Sequence, residues 1–277
     1  MTTVAIRAGL QRGLIETRQG LTSATELWNA LFFPVIGSIV MVFLRGNVVP
    51  GTNFSLGTQA VPGILSLSVV FTGMIGLGVT LIMDREDGGL LRAKAIPQGV
   101  LGYLTGRVVS RAALAVLGVL VPLAVAGVLF TGLSVDVVTL VWVLVVGLVA
   151  VLPLGAIVGS LFRNVQALGF VTLLNMALLA ISGVFYPITA LPSWMQWIAE
   201  VFPVYWLGLG LRSALLPDGL AVVEIGSSWR HLETVGVLGA WAVVGFLLAP
   251  VLLRRMARRE SGSTVAAARE KAVQRTM

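Results

Sequence analysis

Residues 138–161 read VTLVWVLVVGLVAVLPLGAIVGSL, a stretch without a charged side chain. A helix needs about 20 predominantly apolar residues to cross the hydrocarbon core of a bilayer. The stretch does not alternate apolar and polar residues, as a strand of a membrane barrel would. Because backbone groups in lipid must be paired within their own segment, it predicts a transmembrane helix.

Five further stretches share this length and character, so the sequence predicts an all-α integral membrane protein with six transmembrane helices. The six predicted spans are 27–44, 61–83, 108–130, 138–161, 165–186 and 234–253. The chain is 57% hydrophobic and only 11% charged, whereas soluble domains carry about 25% charged residues. So few charges cannot cover the surface of a soluble domain, and lipid is the expected solvent.

The basic residues fix the predicted orientation. With a cytoplasmic N-terminus, only Arg45, Arg212 and Arg230 of the 19 lysine and arginine residues lie outside. Basic residues concentrate on the cytoplasmic side, so both termini are expected there. Residues 1–259 form a single predicted transmembrane domain, and residues 260–277 form a basic cytoplasmic tail.

The segment before the first span has its own pattern. Leu10, Leu14 and Leu21 fall near one face of a helix, and charged residues lie elsewhere. This pattern predicts an amphipathic helix on the inner membrane surface. The alternative is an ordinary solvated lead-in. The net charge of +7 lies beside apolar spans, which favours membrane lipid rather than nucleic acid as the partner.

Several kinds of chemistry are missing from the sequence. The predicted spans have no acid, lysine or histidine near their centres, where ion-coupled carriers usually keep ionisable groups. Cysteine is absent, His231 is the single histidine and no phosphate-binding loop occurs. We therefore expect no catalytic or metal site, and ATP-driven work would need a second chain that binds ATP. An ATP-independent carrier or channel, and a membrane enzyme or sensor subunit, stay open as alternatives.

Polar residues within the spans are candidates for lining a substrate pathway. Thr72 lies in the second span, and Thr172 and Asn175 lie in the fifth. Threonine can bond to its own helix, so helix packing is the alternative interpretation. The Asn175 amide must find partners away from lipid. In the fourth span, Gly155 and Gly159 form a G-x-x-x-G pair that permits close helix approach.

Residues 84–97, DREDGGLLRAKAIP, separate the second and third spans. Acids at the start and bases at the end suit the macrodipole of a helix, and proline ends it. Gly88 and Gly89 argue against one uninterrupted helix. The pattern predicts a bent or broken helix on the cytoplasmic surface, with a plain charged loop as the alternative.

Residues 183–206, GVFYPITALPSWMQWIAEVFPVYW, follow the fifth span. Three prolines interrupt the backbone, and the tryptophans and tyrosines are residues typical of membrane interfaces. The stretch predicts a short re-entrant helical element at the outer surface, between spans five and six. An aromatic belt around a loop is the alternative.

These two motifs, in this order and on opposite sides of the membrane, resemble those of type-2 ATP-binding-cassette (ABC) export permeases. The arginine-rich style is similar to actinobacterial permeases of the daunorubicin-resistance type. Gly89 stands where the family commonly has threonine, and Asp84 where it has glutamate. The resemblance implies an ATPase-coupling loop that contains Asp84, Arg85, Glu86, Gly88, Leu90, Arg92 and Pro97. It also implies an outer gate that contains Tyr186, Pro187, Pro192, Trp194, Trp197 and Pro203.

The resemblance further implies what such a chain does. It would be a permease subunit in a bacterial plasma membrane that exports an amphipathic drug, lipid or glycan by alternating access, with drug resistance as one outcome. Two permease chains, identical or paralogous, would assemble with two ATPase subunits. ATP and Mg would bind to those subunits, with no cofactor on this chain.

Overall fold

The computed structural model describes residues 2–47, 55–96, 99–130, 133–162, 165–183 and 188–259. Within these ranges the chain folds into α-helices, short 3-10 turns and one π-helix, with no β-strand. The α-helices are α1 (Thr2–Thr22), α2 (Ala24–Phe43), α3 (Leu56–Ser68), α4 (Gly76–Glu86), α5 (Gly89–Lys94), α6 (Gly99–Leu129), α7 (Val137–Leu161), α8 (Val165–Ile181), α9 (Ser193–Val201), α10 (Pro203–Leu215) and α11 (His231–Arg259). The predicted all-α integral membrane fold is confirmed.

In the described part of the chain, five helical stretches are long and apolar enough to cross a membrane. They are Ala24–Gly46, Leu56–Glu86, Gly99–Leu129, Val137–Leu161 and His231–Arg258, at the positions of predicted spans one to four and six. The predicted fifth span is helical over Val165–Ile181, which is 17 residues. Residues 184–187, at its predicted end, lie outside the described part of the chain. The count of six spans therefore stays a prediction.

The stretch Leu56–Glu86 is the centre of the bundle, and we call it the central helix. It consists of α3, a π-helix over Val69–Ile75 and α4, without a break between them. Most of it is buried, whereas each of the other four long helices leaves half or more of its residues accessible. The central helix packs on α2 and α6 along one side and on α7 and α10 along the other.

Six of the remaining helices form two halves around the central helix. The first half consists of α1, α2 and α6, and the second of α7, α10 and α11. Helices α6 and α7 meet at few points, so the central helix carries most of the contact between the halves. Any relative movement of the two halves must therefore act on this helix.

Two glycines of α7 allow the second half to lie close to the central helix. A Cβ atom on Gly155 would lie 2.4 Å from the Met74 carbonyl oxygen, and one on Gly159 would lie 2.9 Å from the Gly78 carbonyl oxygen. Real Cβ atoms essentially never come within 3.0 Å of another heavy atom. The G-x-x-x-G pair therefore packs within the chain.

The contact at Gly155 gives a stability prediction. We expect Gly155→Ala to lower the free energy of unfolding by about 1–3 kcal/mol, because the added methyl group overpacks the contact with Met74. Thermal denaturation of the purified protein in detergent measures the change. Gly239→Ala in α11 is the matched control, since its Cβ meets nothing within 4 Å. Equal stability of the two variants would show that α7 is not held this close to the central helix.

The lead-in helix α1 lies along α6 through a face of glycines. Cβ atoms on Gly9 and Gly13 would each lie 2.7 Å from side-chain atoms of α6. Leu10, Leu14 and Leu21 are exposed away from this contact, and the amphipathic character of α1 stays a prediction. Their contact with the inner membrane surface stays a prediction.

Residues 188–230, which we call the outer cap, lie between α8 and α11. The cap consists of α9, α10 and 3-10 turns at Ile188–Ala190, Asp218–Val223 and Ile225–Ser227. Pro203 occupies the first turn of α10, where a proline lacks only an N–H that would have no partner. The cap thus contains helical elements where the sequence predicted a re-entrant element, and its depth in the membrane stays a prediction.

Candidate functional site

The central helix ends at the motif of residues 84–97, which the sequence places on the cytoplasmic side. Helix α4 stops at Glu86, and Gly88 adopts a left-handed conformation with φ of 73°. That conformation is unfavourable for residues with a Cβ atom and costs glycine little. The chain turns there and starts α5, so the predicted break at the glycine pair is confirmed.

Helix α5 packs into a depression formed by three other helices, which we call the socket. Leu90 and Ala93 on its inner side are 1% and 5% exposed. The socket residues are Leu77 and Leu81 of α4, Tyr103 of α6, and Leu253, Met256 and Ala257 of α11. Because two of its six residues are buried this fully, α5 is held firmly against the end of the bundle.

A cluster of charged and aromatic side chains lies beside α5, and we call it the inner polar cluster. It consists of Arg12, Glu16, Asp84, Tyr103 and Arg107. Asp84 accepts hydrogen bonds from the Tyr103 hydroxyl and, at 2.6 Å, from an Arg107 Nη atom. The other Nη atom of Arg107 lies 3.4 Å from Glu16, which also pairs with Arg12 at 2.8 Å. The cluster thereby joins α1, α4 and α6.

Two arginines lie over one aromatic ring in this cluster. The guanidinium carbons of Arg12 and Arg107 lie 5.1 Å and 5.7 Å from the centre of the Tyr103 ring. Cations within about 6 Å of a ring face are attracted by its quadrupole. Tyr103 thus contacts both arginines through its ring and Asp84 through its hydroxyl, which fixes the inner end of α4.

In the outer cap, Arg212 makes a buried ion pair with Glu224. Its Nε and Nη2 atoms lie 2.7 Å and 3.2 Å from the two carboxylate oxygens, and Nη1 donates to the Gly183 carbonyl oxygen at 3.0 Å. The two side chains are 5% and 2% exposed. Two parallel hydrogen bonds are the strongest arrangement of an arginine and a carboxylate. Arg212 therefore ties α10 to the following turns and to the end of α8.

A second ion pair holds α9 to the rest of the cap. Arg230 pairs with Glu200, and its guanidinium lies 4.7 Å from the centre of the Trp206 ring. The Trp206 indole donates to the Glu200 carbonyl oxygen at 2.6 Å. Tyr205 is fully buried nearby, and burial raises the pKa of its phenol to about 12. A tyrosine is already neutral at physiological pH, and the raised pKa keeps this phenol neutral at more alkaline pH as well.

The membrane-domain model of ABC-2 type transporters matches residues 15–216, most of the chain. This chain belongs to that family. No curated protein matched it significantly. ABC-2 membrane domains are transmembrane components that work with ABC ATPase partners, so the chain is a multi-pass transporter permease subunit and its membrane domain is not itself catalytic.

Some of the predicted coupling residues of the permease are turned into the protein, and others are exposed. Asp84 belongs to the inner polar cluster, and the buried Arg85 donates to the Phe162 carbonyl oxygen at 3.0 Å. Gly88 and Leu90 are buried as well, whereas Glu86 and Arg92 are exposed. Pro97 lies outside the described residues. Their role in contacting an ATPase stays a prediction.

The predicted gate residues also separate. Trp194 and Trp197 are 58% and 73% exposed on α9, and Pro192 is exposed at the start of that helix. Pro203 is buried at the start of α10. Tyr186 and Pro187 lie outside the described residues. Because the two tryptophans point away from the interior of this chain, any gate that they form must involve a group outside it.

The predicted pathway residues bond to nearby backbone. Thr72 donates to the Ala30 carbonyl oxygen of α2 at 3.3 Å, and the Asn175 amide donates to the Val171 carbonyl oxygen of its own helix at 2.9 Å. Thr172 is half-buried on the same helix. The Thr72 bond ties two helices together, and the Asn175 bond satisfies the amide within its own helix. The pathway role stays a prediction.

Sequence reasoning missed most members of the inner polar cluster. Tyr103 and Arg107 lie on α6 and Glu16 on α1, far from Asp84 along the chain. One signal was available: an arginine at the inner end of an apolar span needs either water or a carboxylate. Arg111 obeys the same rule, since it is buried and pairs with Glu26 at 3.0 Å. Across the described residues, no group of three or more histidine, aspartate or glutamate side chains could hold a metal ion.

Proposed function

We propose that this chain is the permease subunit of an ATP-driven exporter of the daunorubicin-resistance type. It moves an amphipathic drug, lipid or glycan out of the cytoplasm or the inner leaflet by alternating access. The proposal rests on how firmly the rest of the protein holds the coupling motif. Glu86 and Asp87 are exposed at the cytoplasmic end of the central helix, directly before a helix that is seated in a socket.

A surface that transmits force must be held rigidly by the rest of the protein. A push on Glu86 and Asp87 meets α5, which cannot yield without leaving its socket. Asp84 carries the load to α6 and α1, and Arg85 carries it to the end of α7 at Phe162. The push at the motif thereby reaches both halves of the bundle. ATP shifts the equilibrium between two states only through its different affinity for them.

The assembly that follows from this proposal has four chains. Two ATPase subunits hold ATP and Mg and contact the acidic pair, and a second permease chain, identical or paralogous, completes the membrane part. The complex lies in a bacterial plasma membrane with both termini of this chain in the cytoplasm. Resistance to a drug or antibiotic is one consequence of such export. Helix faces with exposed apolar residues, among them Phe43, Val128 and Leu247, are available to lipid and to the second permease.

Charge reversal at the acidic pair tests this function. We expect the double variant Glu86→Lys and Asp87→Lys to retain about one tenth or less of the ATPase that co-purifies with the wild-type chain, because like charges across an interface cost several kcal/mol. Affinity purification from native membranes, followed by Mg-ATP hydrolysis and mass spectrometry of the eluate, measures this loss.

Glu233→Lys is the control, since it reverses an exposed acid at the other end of the bundle, beside the outer cap. It is expected to leave ATPase recovery unchanged. Wild-type recovery of an ABC ATPase by the double variant would contradict the coupling role. Failure of the wild-type chain to recover any ABC ATPase would contradict the proposed function.

A further inference from the structure

The middle of the central helix is a π-helix over Val69–Ile75. At its end, the Gly76 N–H bonds to the carbonyl oxygens of both Phe71 and Gly73, which lie five and three residues earlier. An i→i+5 bond accommodates one more residue than the i→i+4 bond of an α-helix, and such segments are rare and frequently functional. The most buried helix of the bundle is therefore irregular at its midpoint.

Both halves of the bundle contact this segment. Thr72 donates to Ala30 of α2, and Gly118 of α6 lies close to the same side chain. From the other half, Val151 and Leu152 of α7 approach Gly73. Since α6 and α7 contact each other at few points, the π-helix lies where the two halves are joined.

Packing does not require a glycine at position 73. The nearest atoms to a Cβ on Gly73 would lie 3.8–3.9 Å away, which is ordinary van der Waals contact. The Gly155 contact, at 2.4 Å, has no such room. The remaining effect of Gly73 is conformational freedom, because glycine in a helix interior is less favourable than alanine.

We propose that Val69–Ile75 is the joint at which the outer part of the central helix, α3, rotates relative to the inner part, α4. Exchange of i→i+5 for i→i+4 hydrogen bonds, or their shift along the helix, changes the facing of the intervening residues by about 100° per residue of register. Helix α4 carries the coupling motif and packs mainly on α7 of the second half, whereas α3 packs on α2 and α6 of the first half and on α10 of the second. A push at the motif then moves α4 together with α7 and α11 relative to α2 and α6, which changes the angle between the two halves. The driving force in this account rests on the proposed function.

Spin labels on the two halves test this joint. The chain contains no cysteine, so labelled cysteines at Val128 and Leu232, which are 83% and 87% exposed, report the distance between the outer ends of α6 and α11. Single-cysteine variants identify distances between the two copies. Double electron–electron resonance is recorded on the complex with its ATPase, without nucleotide and with Mg-ATP and vanadate. Wild-type chain is expected to change its distance distribution between the two conditions.

Two variants remove the joint. Deletion of Gly73 takes out the extra residue and keeps the flanking helix faces in register, and Gly73→Ala favours the α-helix with no steric conflict. We expect the deletion to show one distribution under both conditions, and Gly73→Ala to show less than about half of the wild-type change, since alanine favours the α-helix more strongly than glycine does. Gly239→Ala, on α11, is expected to behave as wild type.

The outcomes separate the joint from the proposed function. A wild-type-sized change in the Gly73→Ala chain, or in a deletion chain that still binds its ATPase, overturns the joint alone. So does a wild-type complex whose distances do not respond to nucleotide. A wild-type chain that binds no ATPase overturns the proposed function together with the driving force assigned to the joint.

Discussion

Replacement of Arg212 by methionine is expected to lower the free energy of unfolding by about 3–5 kcal/mol, because it leaves Glu224 buried without a cation. Glu224 is 2% exposed on its side chain, and the Gly183 carbonyl oxygen loses its donor as well. The outer cap would then separate from the end of α8. Thermal or denaturant unfolding of the purified chain in detergent measures the loss.

The double variant Arg212→Met and Glu224→Leu separates the lost pair from the stranded charge. We expect it to recover most of the stability, since replacement of both partners of a buried ion pair by apolar residues is often neutral. Arg12→Met is the control at a partly exposed site. It removes a pair with Glu16 in which Arg12 is 46% exposed, and a contact with the Tyr103 ring, each of which contributes at most about 1 kcal/mol. Equal effects of Arg212→Met and Arg12→Met would contradict the assignment of Arg212 as the tie of the outer cap.

Replacement of Asp84 by asparagine is expected to lower ATP-dependent transport by about tenfold while the ATPase still binds. The side chain keeps its size and can still accept a hydrogen bond from Tyr103, but it loses the charge that pairs with Arg107 at 2.6 Å. Hydrogen bonds to charged groups contribute about 1.5–3 kcal/mol, and the lower end of this range corresponds to a factor of about ten. Glu86 and Asp87 are unchanged, so the contact with the ATPase is retained.

The readout of this variant distinguishes coupling from assembly. ATPase recovery and transport are measured on the same preparation, and Asp136→Asn serves as the control because asparagine also caps a helix N-terminus well. Loss of recovery together with transport would place Asp84 in the contact surface or in folding, and unchanged transport would show that the inner polar cluster carries no load.

The spans could be predicted from the sequence because their signal is local. A run of about 20 apolar residues decides a membrane helix without knowledge of its neighbours. The break at Gly88 was readable for the same reason. Only part of the position of α1 could be predicted. The leucines on one helix face follow from the sequence pattern. The packing of Gly9 and Gly13 depends on α6, which is distant in sequence.

The candidate site was predictable in place and not in detail. An acidic run after the second span marked the coupling motif, but nothing local indicates that Asp84 and Arg85 turn inward while Glu86 faces out. Their partners Arg107 and Phe162 come from other helices. The same limit explains Arg212, whose partner Glu224 is defined only by the folding of the outer cap.

The π-helix was the least visible feature. Its only local trace is Gly73 followed by Gly76 in an otherwise apolar stretch, and such glycines are common in membrane helices. The register of backbone hydrogen bonds follows from packing on both halves of the bundle, which a single sequence does not display.

Transport by reconstituted vesicles shows whether this permease moves its substrate only when an ATPase drives it. The fluxes of a fluorescent amphipathic dye and of a fluorescent phospholipid are measured in vesicles that contain this chain with and without its ATPase. We expect flux with the ATPase and Mg-ATP, and none when either is omitted. Equal flux through vesicles that hold this chain alone, without nucleotide, would contradict it.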